Sequence, residues 1–195
     1  AWKLSYPRWR ASMRWLWIDR FVEFVRGERA VAIKNVCLTE EHMSEYLPGF
    51  PVMPCSLVVE GLAWIGGILA NDQRRFQERT VLAKVKKAVF HRPPFAGDQL
   101  RYTAVIEGLE PEGAFIRGTS HIGDELQAEV DLFLAHLGDR IDEVQGELID
   151  PADMLATLRI FGLYDVGRTS TGEPLDVAEK LSEGERKAQA AVPGV

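Results

Sequence analysis

The rhythm of hydrophobic and polar positions changes several times along the chain, and each change marks a predicted element. Residues 125–137 alternate cleanly, with Leu126, Ala128, Val130, Leu132 and Leu134 on one side, the period of a half-buried strand. Just upstream, Ala114–Ile122 is a second such run, joined to the first by Gly123-Asp124, a hairpin signal. Gln99–Gly108 and Thr80–Phe90 also read as strands, with a proline-rich loop between them. Near the start, Trp15–Phe24 and Arg29–Leu38 are apolar-rich runs separated by Arg26-Gly27-Glu28. The second is rich in β-branched residues, which favours a strand.

Between these strand regions lies a segment of another kind. Ser56 to Ala70 is apolar almost all round, interrupted only by Glu60 among charged residues. Its 15 residues are too many for an ordinary strand and too few for a membrane span, which needs about 20. A helix apolar on every side should be buried. Pro54 stands where a first-turn proline is tolerated, and the glycines at 61, 66 and 67 predict close packing against other backbone. One long buried helix, two strands before it and antiparallel strands after it make an α+β layout, a sheet wrapped over a single helix.

The pattern changes again beyond Leu137. Asp150 and Pro151 have the chemistry of an N-cap and a first-turn residue, predicting a helix over about 151–164. From Val166 the chain is polar and reads as a mobile tail. The expected organisation is a catalytic body at 1–137 and an extension at 138–195. Charge supports the division. Residues 138–195 carry 12 acidic and 6 basic side chains, the whole net charge of −6, and the body is neutral.

Composition narrows the function classes. No stripe of Lys and Arg dominates the chain, so nucleic acid is not an expected partner. The two cysteines, Cys37 and Cys55, can supply neither a disulfide framework nor a CxxC zinc site, and they suit a reducing, cytoplasmic setting. The basic, aromatic N-terminal stretch is followed by no uninterrupted apolar run of signal-peptide type, so no export signal or membrane insertion is expected. No glycine-rich phosphate loop, metal-ligand cluster or Ser-His-Asp arrangement is visible, so neither cofactor nor metal is expected.

Candidate chemistry centres on Glu60. Its neighbours Leu57, Val58, Val59, Leu62, Ala63 and Trp64 are apolar, and a buried carboxylate costs several kcal/mol unless paired or protonated. Either the helix exposes this position at a seam, or an apolar channel holds the carboxyl with its pKa raised, as a general acid requires. The preceding loop, Tyr46-Leu47-Pro48-Gly49-Phe50-Pro51-Val52-Met53-Pro54-Cys55, and the helix start to Glu60 closely resemble the active-site segment of the β-hydroxyacyl-acyl carrier protein dehydratases. That family's pattern is His-Phe-Pro-Gly-x-Pro-x-Met-Pro-Gly-x-Leu-x-x-Glu. Leu16–Arg20, Ala32–Val36 and the stretch from Phe90-His91-Arg92-Pro93 to Gly97-Asp98-Gln99-Leu100 are similar to further family segments, so the resemblance covers roughly 14–137.

The resemblance implies a hot-dog fold and a homodimer, often assembled into a hexamer, with each active site at the dimer interface. It implies syn elimination of water from a 3-hydroxyacyl thioester of acyl carrier protein or coenzyme A. The family's loop residue of one subunit faces the helix carboxylate of the other, and a backbone N–H at the helix start polarises the thioester carbonyl. By position, Glu60 and Tyr46 are the catalytic pair, and Gly49, Pro54 and Cys55 line the substrate.

Two positions depart from the pattern. Tyr46 stands where the family has histidine, and a phenol that titrates near 10 in water is a poor base at neutral pH beside an imidazole near 6.5. His42, the other candidate base in this loop, lies upstream and out of register. Cys55 replaces a glycine and narrows the approach to the helix N–H; its thiol reads as a small apolar group rather than a nucleophile. Three readings follow: a dehydratase with altered proton traffic, an acyl-thioester or carrier-protein binding module without turnover, and an isomerase or thioesterase using Glu60. Residues 72–92 hold seven basic and two acidic side chains, either a mouth that attracts an acidic carrier protein or an ordinary solvated face. His91, His121 and His136 read as structural, and the early tryptophans as cover for a core or interface.

Overall fold

A computed structural model describes residues 16–137 and 150–190. Trp2, Trp9, Trp15 and the stretch 138–149 fall outside them. The alternating runs form strands close to their expected limits: β1 (Arg20–Val25), β2 (Arg29–Asn35), β3 (Arg79–Phe90), β4 (Gln99–Glu110), β5 (Gly113–Ile122) and β6 (Glu125–Leu137). In β6 the expected side, Ala128, Val130, Leu132 and Leu134, is buried. Gly123 turns the β5–β6 hairpin with φ +58°, a conformation only glycine adopts at no steric cost.

The apolar segment is helix α2 (Cys55–Gln73). With a short seventh strand, β7 (Gly167–Arg168), the strands wrap around it in a sheet ordered β3-β6-β5-β4-β2-β1-β7, antiparallel throughout except at the last pair. This is the expected hot-dog architecture. Val58, Leu62, Ile65 and Leu69 of α2 pack with Tyr102, Ile116, Val130 and Leu134 of the sheet in one core. Helix and sheet approach so closely that two helical glycines are needed. A Cβ on Gly61 would lie 2.8 Å from Cε2 of Tyr102, and one on Gly66 would lie 3.1 Å from Cγ2 of Ile116. Gly67 differs: a Cβ there meets nothing within 4 Å, so close packing does not explain it.

The loop before α2 contains a short helix the sequence pattern did not predict, α1 (Glu41–Glu45), anchored by buried Met43. The C-terminal region differs more. The single helix expected over 151–164 is α3 (Pro151–Ile160), capped by Asp150 through Ala152 N–H at 2.8 Å. It ends at Gly162 (φ +65°) and is followed by α4 (Leu163–Val166). The stretch beyond Val166, expected to carry no element, holds β7 (Gly167–Arg168) and α5 (Glu179–Ala190). Strand β7 pairs in parallel with β1, and Leu155, Leu158, Phe161, Leu163, Leu175 and Leu181 join the same core as α2. A few well-spaced apolar residues thus dock a mostly polar extension.

Ion pairs fasten that extension. Arg26, in the β1–β2 turn, is held by buried Asp72 near the end of α2 at 2.8 Å and reaches Asp176 of the extension at 3.4 Å. Arg75 donates to both oxygens of Asp176 at 2.9 and 2.7 Å.

The contrast between the two helical glycines is directly measurable. Gly61→Ala should lower stability by about 1–3 kcal/mol through overpacking against Tyr102. Gly67→Ala should raise it by up to about 1 kcal/mol by removing a helical glycine. Chemical denaturation midpoints of the two variants should move in opposite directions.

Candidate functional site

The loop leading to α2 is positioned by the loop that follows β3. Asp98 is the hub of the second loop. Its carboxylate accepts from Arg92 at 2.9 Å and from the Phe95 backbone N–H at 2.8 Å. Burial pushes the Asp98 carboxyl up, but these donors outweigh it and hold the group below the usual carboxylate range. Gln127 of β6 donates to the Arg92 carbonyl at 2.7 Å, tying the loop to the sheet. On this platform rest Met53, whose N–H donates to the Pro94 carbonyl at 2.9 Å, Val52, bridged to Phe95, and Phe50, whose ring meets Phe95 edge-on at 5.6 Å.

Within the first loop, Leu47-Pro48-Gly49-Phe50 forms a tight turn closed by Phe50 N–H to the Leu47 carbonyl at 2.9 Å. Gly49 takes φ +84° at its third position, the reason a glycine is needed after proline in such a turn. The structure therefore gives Gly49 a turn-forming place. Pro54 is buried and is the N-cap residue of α2. Because Pro54 has no capping side chain and the first turn contains no acidic residue, the positive end of a 19-residue helix is left without a local anionic partner. Cys55, half-buried, stands at that end, and burial pushes its thiol pKa up, away from nucleophilic character.

Glu60 is exposed in the protomer, so any channel around it needs a second subunit. The reason is helical geometry. Val58, Gly61, Leu62 and Ile65 face the sheet, while Ser56, Glu60 and Trp64, spaced by one turn, form the opposite stripe. Of the apolar neighbours of Glu60, Val58 and Leu62 turn into the sheet, while Leu57, Val59 and Trp64 are only half-buried. Tyr46 ends α1 and is likewise exposed, at 55%. Both proposed catalytic side chains thus stand on open surface of one protomer.

His42 turns inward instead. Its ring lies against Trp17 at 6.3 Å between centroids, and its Nε2 is 3.9 Å from Glu40. Glu40 is itself paired with buried Lys34. Burial first, and then Lys34, lower the His42 pKa, against the opposing pull of Glu40. Of the basic stretch 72–92, several charges are engaged by carboxylates: Arg74 with Glu78 at 3.0 Å, Arg75 with Asp176 at 2.7 Å, Lys87 with Glu129 at 2.7 Å and Arg92 with Asp98 at 2.9 Å. The electropositive mouth is therefore weaker than the residue count implied. Among the described residues, no three His, Cys, Asp or Glu side chains come together as a metal site needs, and no helix is long and apolar enough to cross a membrane.

The family model described as the FabA-like domain matches residues 11–124. The chain belongs to the FabA-like domain family. This FabA-like chain is 37% identical over 116 residues to the 3-hydroxyacyl-[acyl-carrier-protein] dehydratase FabZ of Koribacter versatilis, covering 58% of this chain and 74% of that protein. It is 36% identical over 121 residues to the FabZ of Symbiobacterium thermophilum, covering 62% and 85%. Among solved structures, the dehydratase heterocomplex ApeI:P from Xenorhabdus doucetiae matches with a TM-score of 0.55 at 11% identity, over 67% of this chain and 90% of that one. At that identity the likeness concerns the fold alone. The FabA-like match ends before the extension, so Phe161 lies outside it.

The inward-turned His42 makes acid stability a readout of the loop. Its folded pKa is lowered, so the unfolded chain takes up the proton first as pH falls below about 6.5, and folding stability declines there. His42→Gln should lose less stability than the parent between about pH 7 and pH 5. Denaturant midpoints across that range check it; equal slopes for both proteins would remove His42 from the account.

Proposed function

We propose that this chain dehydrates 3-hydroxyacyl thioesters linked to acyl carrier protein, in fatty-acid or related lipid synthesis, as a homodimer in the cytoplasm. The observation that carries the reading is the placement of Glu60 on the open stripe of α2, one turn from a helix start without a side-chain cap, in a chain of the FabA-like family. The 3-hydroxyacyl-[acyl-carrier-protein] dehydratase activity of the FabZ relatives supports the reaction class.

In the proposed site the thioester carbonyl accepts from the backbone N–H groups at Cys55 and Ser56, where the helix dipole stabilises negative charge developing on the oxygen. Pro54 and Gly49 shape the approach. The Glu60 carboxylate takes the α-proton, the C–O bond at the β-carbon breaks, and the same proton leaves with the hydroxyl as water. Glu60 is thereby returned to its starting state. Tyr46 of the second protomer donates a hydrogen bond to the departing oxygen, a role that a phenol fills without having to ionise. Dimerisation would cover Glu60 and raise the strength of each interaction by excluding water.

Strand β3 supports the dimer. It is an edge strand, and Leu82, Val85 and Val89 expose apolar side chains along it. A long edge of this kind invites pairing with another strand, and the opposite edge of the sheet is already occupied by β7.

Hydration of crotonyl thioester should fall by at least about 100-fold in Glu60→Gln, and by about 10-fold or more in Tyr46→Phe. Absence of turnover on any chain length, with acyl carrier protein still bound, would favour a binding module. Activity that needs Glu60 but ignores Tyr46→Phe would favour an isomerase or thioesterase. Separately, Val85→Glu should convert dimer to monomer in sedimentation and abolish turnover together. A monomeric parent protein would sink the shared site.

A further inference from the structure

The outward stripe of α2 does not stay open along its whole length. Ser56 and Glu60 are exposed, but Trp64, the next residue in that row, is half-buried. It is covered by Phe161 of the C-terminal extension, the two rings meeting edge to face at 5.0 Å and 82°. Phe161 is almost fully buried at 2% exposure and is held from several sides. Its carbonyl accepts from the Phe21 N–H of β1 at 2.9 Å, and its own N–H donates to the Thr157 carbonyl at 3.0 Å. Leu158 and Leu163 flank it in the core. Beyond Trp64, at the C-terminal end of α2, Arg75 and Arg26 both pair with Asp176 and hold the extension against the body. The covering residue is therefore a fixed part of the core.

We infer that the Trp64–Phe161 pair is the end wall of the acyl-binding site and restricts the enzyme to short-chain thioesters. The inference rests on the function proposed above. If the carbonyl sits at the helix start and the β-carbon at Glu60, the remaining acyl chain runs toward Trp64 along the same row. Successive residues of the row are separated by about 6 Å along the helix axis. That distance leaves room for only a few methylenes between the reacting carbon and the aromatic pair. Apolar side chains flank the route, with Leu57 and Val59 half-buried beside it. A tail long enough to reach Trp64 must displace the indole, and the indole cannot retreat because Phe161 is anchored behind it.

The test compares butyryl-, octanoyl- and palmitoyl-coenzyme A by calorimetry, which requires no turnover, with hydration rates of the matching 2-enoyl thioesters. The parent protein should favour the butyryl over the palmitoyl ligand by at least about tenfold. Trp64→Ala should raise the ratio of long- to short-chain binding by roughly tenfold. Phe161→Leu, which retains a buried apolar side chain, should move the ratio the same way, and circular dichroism melts establish that both variants fold. Equal affinity of the parent for all three ligands overturns the inference, as does an unchanged ratio in either folded variant. Short-chain binding without hydration would sink the dehydratase reading and leave the wall standing. Hydration of every chain length with equal efficiency would do the reverse. Failure to bind any acyl thioester would sink both.

Discussion

The contact between α2 and the sheet is close enough to dictate which side of the helix is available for chemistry. At Gly61 the aromatic ring of Tyr102 occupies the space a side chain would need, and at Gly66 the Ile116 side chain does nearly the same. From the sheet side, a Cβ on Gly118 would lie 3.1 Å from Leu62. A helix locked at this depth cannot roll about its axis without driving Leu62 or Ile65 into β-strand side chains. Its rotation is therefore fixed, and with it the outward direction of Ser56, Glu60 and Trp64. Protein interiors are packed densely enough that such a constraint is felt at the level of a single methylene.

A second constraint holds the approach to the helix. The Arg92–Asp98 pair and the N–H of Phe95 freeze the loop after β3, which offers the Pro94 carbonyl and the Phe95 ring to the loop before α2. The segment from Leu47 to Pro54 is thus determined twice, by its own proline-glycine turn and by a neighbouring loop more than forty residues away. Such rigidity suits a site whose donors are backbone N–H groups, because pre-positioned dipoles need not reorganise as charge develops.

The extension closes the other end. It adds a parallel strand beside β1, contributes Phe161 to the core and is tied to the body through Asp176, which pairs with Arg75 and Arg26. The two sheet edges consequently have different fates: β7 covers one, while β3 remains open with Leu82, Val85 and Val89 exposed. The same asymmetry divides the outward face of α2 into an open half around Glu60 and a covered half around Trp64.

By itself the sequence determined the strands, the central helix and the hairpin at Gly123. Each depends on local rules: period-two alternation in the strands, an all-round apolar run in the helix, and glycine at positive φ in the hairpin. Family membership was legible for the same reason, since its motifs are contiguous. Only the tertiary structure decided the environment of Glu60. An apolar sequence around a helix contains no contrast from which to read orientation, so it did not show that Val58 and Leu62 face the sheet while Glu60 faces out. Tertiary structure also decided the fate of the polar C-terminal stretch. Its buried residues, from Leu155 to Leu181, are too sparse to form a periodic signal, and their value appears only when α2 and β1 supply the surface that they cover.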